Sequence, residues 1–369
     1  MMGLIRRLAT ALCVTALCAM TGCAGFWVYP GTANSTGTAG SDYVYVANAG
    51  AETLSGFVVG TGTLTAISGF PYSLGYVPTA LVVNHANSIL FVASNSAIYS
   101  YSIGTGGVLT ALNNGSAIGT ANVAAMDVSP DGQWLFALDE NALTVDEFSI
   151  NSSTGRLSGE TQVSLSSVPK AVSSQAVKVS PKGDYVFVAL GQAGDMVLPL
   201  TTSTGALGTV WTLAPFSSST SDNALTVDPN SAYLYIARSG SGTGAGLAVY
   251  SIGSTGALTL GNTYTTGSSP YSVVMNAAGT DAYVADRSGS NIYGFSVPTA
   301  GSPAALTPSY YSSGSGVNAL AMDKSGSYLL AAASGNSSLV MYSFSSGALV
   351  SSTTAVTGSG PVAIATTHP

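Results

Sequence analysis

The chain has 369 residues, of which nine are Lys or Arg and sixteen are Asp or Glu, so 7% are charged, against roughly 25% in an ordinary soluble domain. A hydrophobic content of 46% with so few charges excludes disorder, and four lysines and four glutamates are too few for a body of amphipathic or coiled-coil helices. A formal net charge of −7 with no basic cluster excludes nucleic-acid binding. What remains is a membrane protein or a β-protein solvated by Ser, Thr, Asn and Gly.

The chain opens with Arg6 and Arg7, an apolar run from Leu8 to Met20, and Thr21-Gly22-Cys23. That is the layout of a secretory signal, too short to span a bilayer. Gly-Cys at its end resembles a bacterial lipobox, with Met20 where Leu is usual. Residues 1–22 are therefore expected to be a lipoprotein signal peptide, and Cys23 the lipidated first residue of the mature chain. Cys13 and Cys18 leave with the signal, so no thiol remains for catalysis, disulfides or metal. Loss of Arg6 and Arg7 leaves seven basic against sixteen acidic residues, a net charge of −9. Residues 23–41 read as a tether of small and polar residues. Its Phe26, Trp27 and Tyr29 are suited either to the lipid interface or to packing on the body.

From residue 42 onward the chain repeats with a period of about 47 residues. A β-branched or aromatic run recurs: Tyr43-Val44-Tyr45-Val46, Leu90-Phe91-Val92, Trp134-Leu135-Phe136-Ala137, Tyr185-Val186-Phe187-Val188, Tyr233-Leu234-Tyr235-Ile236, Ala282-Tyr283-Val284 and Tyr328-Leu329-Leu330-Ala331. A second strand follows in phase, as in Tyr250-Ser251-Ile252. It ends in a glycine turn such as Thr204-Gly205 or Thr255-Gly256, where φ > 0 is needed. Each run is preceded by an Asp, Asn or Ser turn, as in Ser129-Pro130-Asp131-Gly132. Four short strands per repeat and no room for a helix predict an all-β, seven-bladed β-propeller of four-stranded antiparallel blades over residues 42–369. The first repeat lacks an inner strand, and Pro361-Val362-Ala363-Ile364-Ala365 is left over at the end. The C-terminal strand is thus expected to join blade one and close the ring.

YVYVANAG (43–50), VSPDGQWLFAL (128–138), VSPKGDYVFVALG (179–191), VDPNSAYLYIA (227–237) and the Thr-Gly-x-Leu turns resemble the lactonase / 6-phosphogluconolactonase propellers and the related YVTN-repeat surface proteins. The resemblance covers residues 42–366. It implies hydrolysis or formation of lactones, by a His opening the fourth inner strand, an Arg-His pair opening the fifth, and a Glu after the next strand. This chain has Ser173-Ser174-Gln175, Ser221-Asp222-Asn223 and Arg238 at those positions, and Ala189 where a further acid is expected, with Asp195 nearby.

Two histidines remain. His85 is expected in a solvated turn and His368 in a frayed end, so neither suits a catalytic triad. The channel face, built from the loops after the second and outer strands, is expected to carry Glu52, Asp139, Glu140, Arg238, Asp286 and Arg287. Asp222, Asn223, Tyr271 and Asn318 open inner strands there. Arg238 and Arg287 beside Asp222 and Asp286 would bind a carboxylate or sugar bidentately, or stitch blades together as ion pairs. Asp139, Glu140, Asp146 and Glu147 form an acidic edge without calcium-loop spacing. No zinc, phosphate or dinucleotide motif occurs, so no cofactor, metal or catalytic residue is assigned. The sequence predicts a monomeric, exported lipoprotein on the periplasmic or outer-surface side of the cell envelope. It would touch the membrane through Cys23 and bind a small molecule or protein. Two alternatives are a lactone hydrolase with a rearranged site and a structural surface protein. Cys23→Ser is expected to move the protein from the detergent phase to the aqueous phase in a phase-partition assay; retention in detergent would remove the anchor.

Overall fold

The computed structural model describes residues 42–165 and 176–369. The signal, Cys23 and the tether lie outside the described residues, as does Ser173-Ser174-Gln175. The body is a ring of seven antiparallel sheets. Six have four strands, and blade one adds a two-residue fifth, Tyr72–Ser73. The inner strands of blades two to seven are Pro78–Val83, Val123–Val128, Ala176–Val179, Thr220–Val227, Pro270–Met275 and Val317–Met322. Pro361–Thr366 is the inner strand of blade one, pairing Val44 with Thr366, Tyr45 with Ala365 and Val46 with Ile364. The predicted closure is therefore observed. Two single turns of 3-10 helix, Thr105–Gly107 and Asn113–Gly115, interrupt blade two.

The second strand of each blade explains the apolar runs. Each blade is covered on both faces by its neighbours, so this strand has no wet side and does not alternate. Val44, Tyr45, Val46 and Ala47 are fully buried, as are Leu234, Tyr235, Ile236 and Ala237. Successive side chains point to opposite faces. Tyr45 and Ala47 pack with Leu81, Leu90 and Val92 of blade two, whereas Val44 and Val46 pack with Leu330 and Ala332 of blade seven. The cores thus lie between blades, not at the centre. All seven consist of residues from 42 onward, and so does the closing strand.

Aromatic tips tie neighbouring blades at a second level. Each docks on the hairpin between the third and outer strands of the next blade. Tyr45 Oη donates to Gly107 O at 2.8 Å, Trp134 Nε1 to Thr202 O at 2.7 Å, Tyr185 Oη to Ser254 O at 2.9 Å and Tyr283 Oη to Gly347 O at 2.7 Å. Tyr235 Oη accepts from Gly301 N at 3.1 Å, and Tyr328 Oη from Gly62 N at 2.9 Å. The hairpin glycine therefore has two reasons to be glycine. Its φ is positive, 77° at Gly205 and 76° at Gly301. A Cβ would also fall 2.4 Å from Trp134 at Gly205 and 2.2 Å from Tyr233 at Gly301.

The turns that precede the second strands follow one design. The fourth residue has positive φ in six described cases: Asn87, Gly132, Gly183, Ser231, Gly279 and Gly326. The first residue folds its side chain over the turn. Asn84 Oδ1 accepts from Ile89 N at 2.9 Å, Ser129 Oγ from Trp134 N at 3.0 Å and Asp228 Oδ1 from Tyr233 N at 2.6 Å.

The C-terminus departs from expectation. His368 is not frayed. Its N–H donates to Asn87 Oδ1 at 2.6 Å, Asn87 Nδ2 donates to its carbonyl at 2.9 Å, and its Nε2 lies 2.8 Å from Val83 O. Its ring stacks on His85 with centroids 4.3 Å apart. Desolvation, followed by the neighbouring His368, holds the His85 imidazole down at about 4.

Gly301→Ala should lose about 2–4 kcal/mol in denaturant unfolding, from left-handed strain plus overpacking against Tyr233. Gly62→Ala has a similar φ of 68° but nothing within 4 Å of the new methyl. It should lose only the strain, about 1–2 kcal/mol; equal losses would discount the socket.

Candidate functional site

The ring has two faces. The turn face carries the Asx and Ser turns, and the loop face carries the loops after the second and outer strands. On the loop side, six of the seven described inner strands, all but Ala176–Val179, break register at a single residue near the start. These bulge residues are Val362, Thr79, Ala124, Asn223, Tyr271 and Asn318. A bulge leaves its residue outside the ladder and re-aims its side chain. Three of them reach the next blade and bond the carbonyl just before that blade's own bulge. Thr79 Oγ1 donates to Val123 O at 2.6 Å, Asn223 Nδ2 to Pro270 O at 2.7 Å and Asn318 Nδ2 to Pro361 O at 2.9 Å. Asn223, Tyr271 and Asn318 thus share one structural position. Two of them are already committed to stitching the ring.

The sequence groups Arg238, Arg287, Asp222 and Asp286. The structure joins only the first and third. Asp222 and Arg238 are cross-strand partners in blade five. Arg238 Nε donates to Asp222 Oδ1 at 2.5 Å, and Nη2 donates to Asp222 Oδ2 at 3.0 Å and to Tyr250 Oη at 2.8 Å. The guanidinium lies 5.0 Å from the Phe216 ring centroid. Arg238 is 1% exposed and Asp222 2%. Burial disfavours the guanidinium charge, but the Asp222 bond outweighs it and raises the Arg238 pKa. Asp195 of blade four is buried at the same seam, where Gly191 and Asp222 exchange backbone bonds at 3.1 Å. Desolvation, then the Asp222 charge, lift its carboxyl well above the usual range. Arg238 Nη1 and both Asp195 oxygens have no hydrogen-bond partner.

Sequence reasoning missed Tyr250, Phe216 and the role of Asp195. The available signal was Phe216, an aromatic in a serine-rich loop. It rests on the glycine loop 240–246, where a Cβ at Gly244 would lie 2.0 Å from its ring. That close approach gives the glycine-rich stretch a packing role.

Arg287 stands apart in blade six. It is exposed, and its guanidinium sits 4.8 Å from the Tyr271 ring centroid. Asp286 does not pair with it. Asp286 Oδ1 accepts from Ser269 N at 3.0 Å, and its carboxylate nests where a Cβ on Gly267 or Gly289 would clash. Asp139 plays the same capping part in blade three, accepting from Asn141 N at 2.7 Å, Ala142 N at 2.8 Å and Asn122 N at 3.1 Å. The acidic edge is not a solvated one. Asp139, Asp146 and Glu147 are buried and only Glu140 is exposed. Burial lifts Asp146 to about 6 and Glu147 to about 7. Among the described residues, no group of three or more His, Cys, Asp or Glu could hold a metal ion.

Residues 194–365 match the family described as lactonase, 7-bladed beta-propeller. The ring is a lactonase-like propeller. A putative 6-phosphogluconolactonase from Bacteroides uniformis superposes with TM-score 0.73 at 17% identity, over 88% of this chain and 99% of that one. A second, from Bacteroides fragilis, gives 0.71 at 14%, over 90% and 99%. A periplasmic gluconolactonase from Pseudomonas aeruginosa gives 0.67 at 17%, over 89% and 99%. No curated protein matches the sequence.

Asp222→Asn should lower unfolding stability by about 3–5 kcal/mol, because it leaves a buried guanidinium unmatched. Adding Arg238→Met should recover most of that loss in the same denaturant titration. A double variant no more stable than Asp222→Asn would show that the pair acts through something other than charge.

Proposed function

We propose that this lactonase-like propeller is a lipid-anchored envelope protein that binds a sugar acid or similar carboxylate on its loop face without opening a lactone. The observation that carries the reading is the Asp222–Arg238 lock. The two charged side chains that stand where the family resemblance expects catalytic groups are buried against each other, and a catalytic group must reach a reacting atom. The solvent-facing cation of this region is Arg287, displayed on Tyr271. A cation on an aromatic plate suits a polyhydroxy carboxylate, with charge-assisted bonds to the acid and stacking for the sugar face. The similarity to a protein named a periplasmic gluconolactonase agrees with export and with this ligand class.

One observation favours a second reading, a lactone hydrolase with a rearranged site. Asp195 is buried beside Arg238 with its carboxyl held above the usual range, and a protonated carboxyl there would be a proton donor to a leaving alkoxide if the site opened.

The test is a panel of sugar lactones and their open acids, offered to protein lacking residues 1–23. Gluconate is expected to raise the melting temperature, with affinity falling about tenfold in Arg287→Ala, the loss of one charge-assisted bond. Lactones should hydrolyse no faster than in buffer. Hydrolysis abolished by Asp195→Asn would establish the second reading instead, and gluconate binding indifferent to Arg287→Ala would remove the first.

A further inference from the structure

The channel has a second mouth, on the turn face, and a cavity opens there. Its volume is about 560 Å³, within the range of small-molecule sites, which are concave, largely apolar and furnished with a few convergent polar groups. The walls are the turn-face ends of the inner strands of blades five to seven, contributing Leu225, Val273, Met275, Leu320 and Met322. Met275 and Met322 are half-buried, so their thioethers are available to a ligand.

The polar groups gather at the rim. The chain has four lysines, and two of them, Lys178 and Lys324, line this cavity. Lys178 is matched by Asp127 at 3.1 Å. Lys324 forms no ion pair with a described residue. The rim acid, Asp323, is occupied by its own turn. It accepts from Tyr328 N at 2.6 Å and Ser325 N at 3.1 Å, and also from Ser325 Oγ.

The rim is also fixed in place. Thr366 Oγ1 donates to Met322 O at 2.9 Å, and Thr367 N donates to Tyr43 O at 3.0 Å. His368 is held by Asn87, Val83 and the His85 stack described above. Burial lowers the His368 pKa, and both rim lysines push it the same way, so they lie within electrostatic reach of the ring. Preorganised walls lower the ordering cost of binding.

We propose that this cavity binds a small amphiphilic carboxylate, with its hydrocarbon against Met275, Met322 and Leu320 and its carboxylate on Lys324, assisted by Lys178. A polyhydroxy acid would leave its hydroxyls facing apolar walls, and a neutral hydrocarbon would ignore the cation. This site is independent of the loop-face reading.

The experiment is calorimetric titration of the full chain with octanoate, octanol and gluconate. Octanoate should saturate at one per chain and bind at least tenfold more tightly than octanol, and gluconate should not compete. Lys324→Gln should weaken octanoate about tenfold. Met322→Glu should abolish binding, with the melt of each variant checked against the parent. Arg287→Ala should leave octanoate affinity unchanged, which separates this site from the loop face. Non-saturable uptake, equal affinity for octanol, or indifference to Lys324→Gln would each overturn the proposal.

Discussion

The structure depends on one packing constraint: every blade is covered on both faces, and in six of the seven an aromatic tip from the second strand plugs into a hairpin of the next. Tyr45, Trp134, Tyr185, Tyr235, Tyr283 and Tyr328 all make this junction. The apolar body of each ring supplies burial, and its polar tip satisfies a hairpin group that would otherwise be lost. The hairpin glycine in turn permits both the turn and the approach. Stability is thereby distributed around the ring, in seven equivalent seams rather than one core.

That arrangement explains the scarcity of charge. Solvation is handled by hydroxyls and amides on the outer strands, while the buried charges are used as turn and loop caps. Asp139 and Asp286 close loops, Asp228 and Asp323 close turns, and Asp222 matches Arg238. These acids contribute to the fold by accepting backbone N–H bonds, which is why so few remain on the surface. Lys324 and Arg287 are consequently conspicuous, each at a different mouth of the channel.

Much of the fold was legible in the sequence because the repeat is written in local signals. The apolar runs, the glycine hairpins and the surplus strand 361–365 each specify one step of the ring, and all three are found where expected. The site was less legible, because its contacts are long-range. Asp222 and Arg238 are neighbours across a ladder and visible in principle. Asp195 meets them across the seam between blades four and five, while Phe216 comes from the loop before the inner strand and Tyr250 from the third strand of the same blade. The acids of blade three were misread for the same reason: strand position 146–147 is buried by the adjoining blade, which no local pattern announces. His368 was misread because its partners, Asn87 and Val83, lie about 280 residues away.

The closing strand also has a mechanical meaning. Asp42–Asn48 is the first described strand after the N-terminal segment, and it is held on both sides, by Thr53–Gly60 and by Pro361–Thr366. A pull on the chain at residue 42, directed along the strand, loads both ladders in shear, so their hydrogen bonds must fail together rather than unzip in turn. A sheet with that strand at its edge would peel. By placing the last strand inside the first, the chain makes Asp42–Asn48 a central strand, and a force delivered through it is shared by two blade-one neighbours drawn from opposite ends of the sequence.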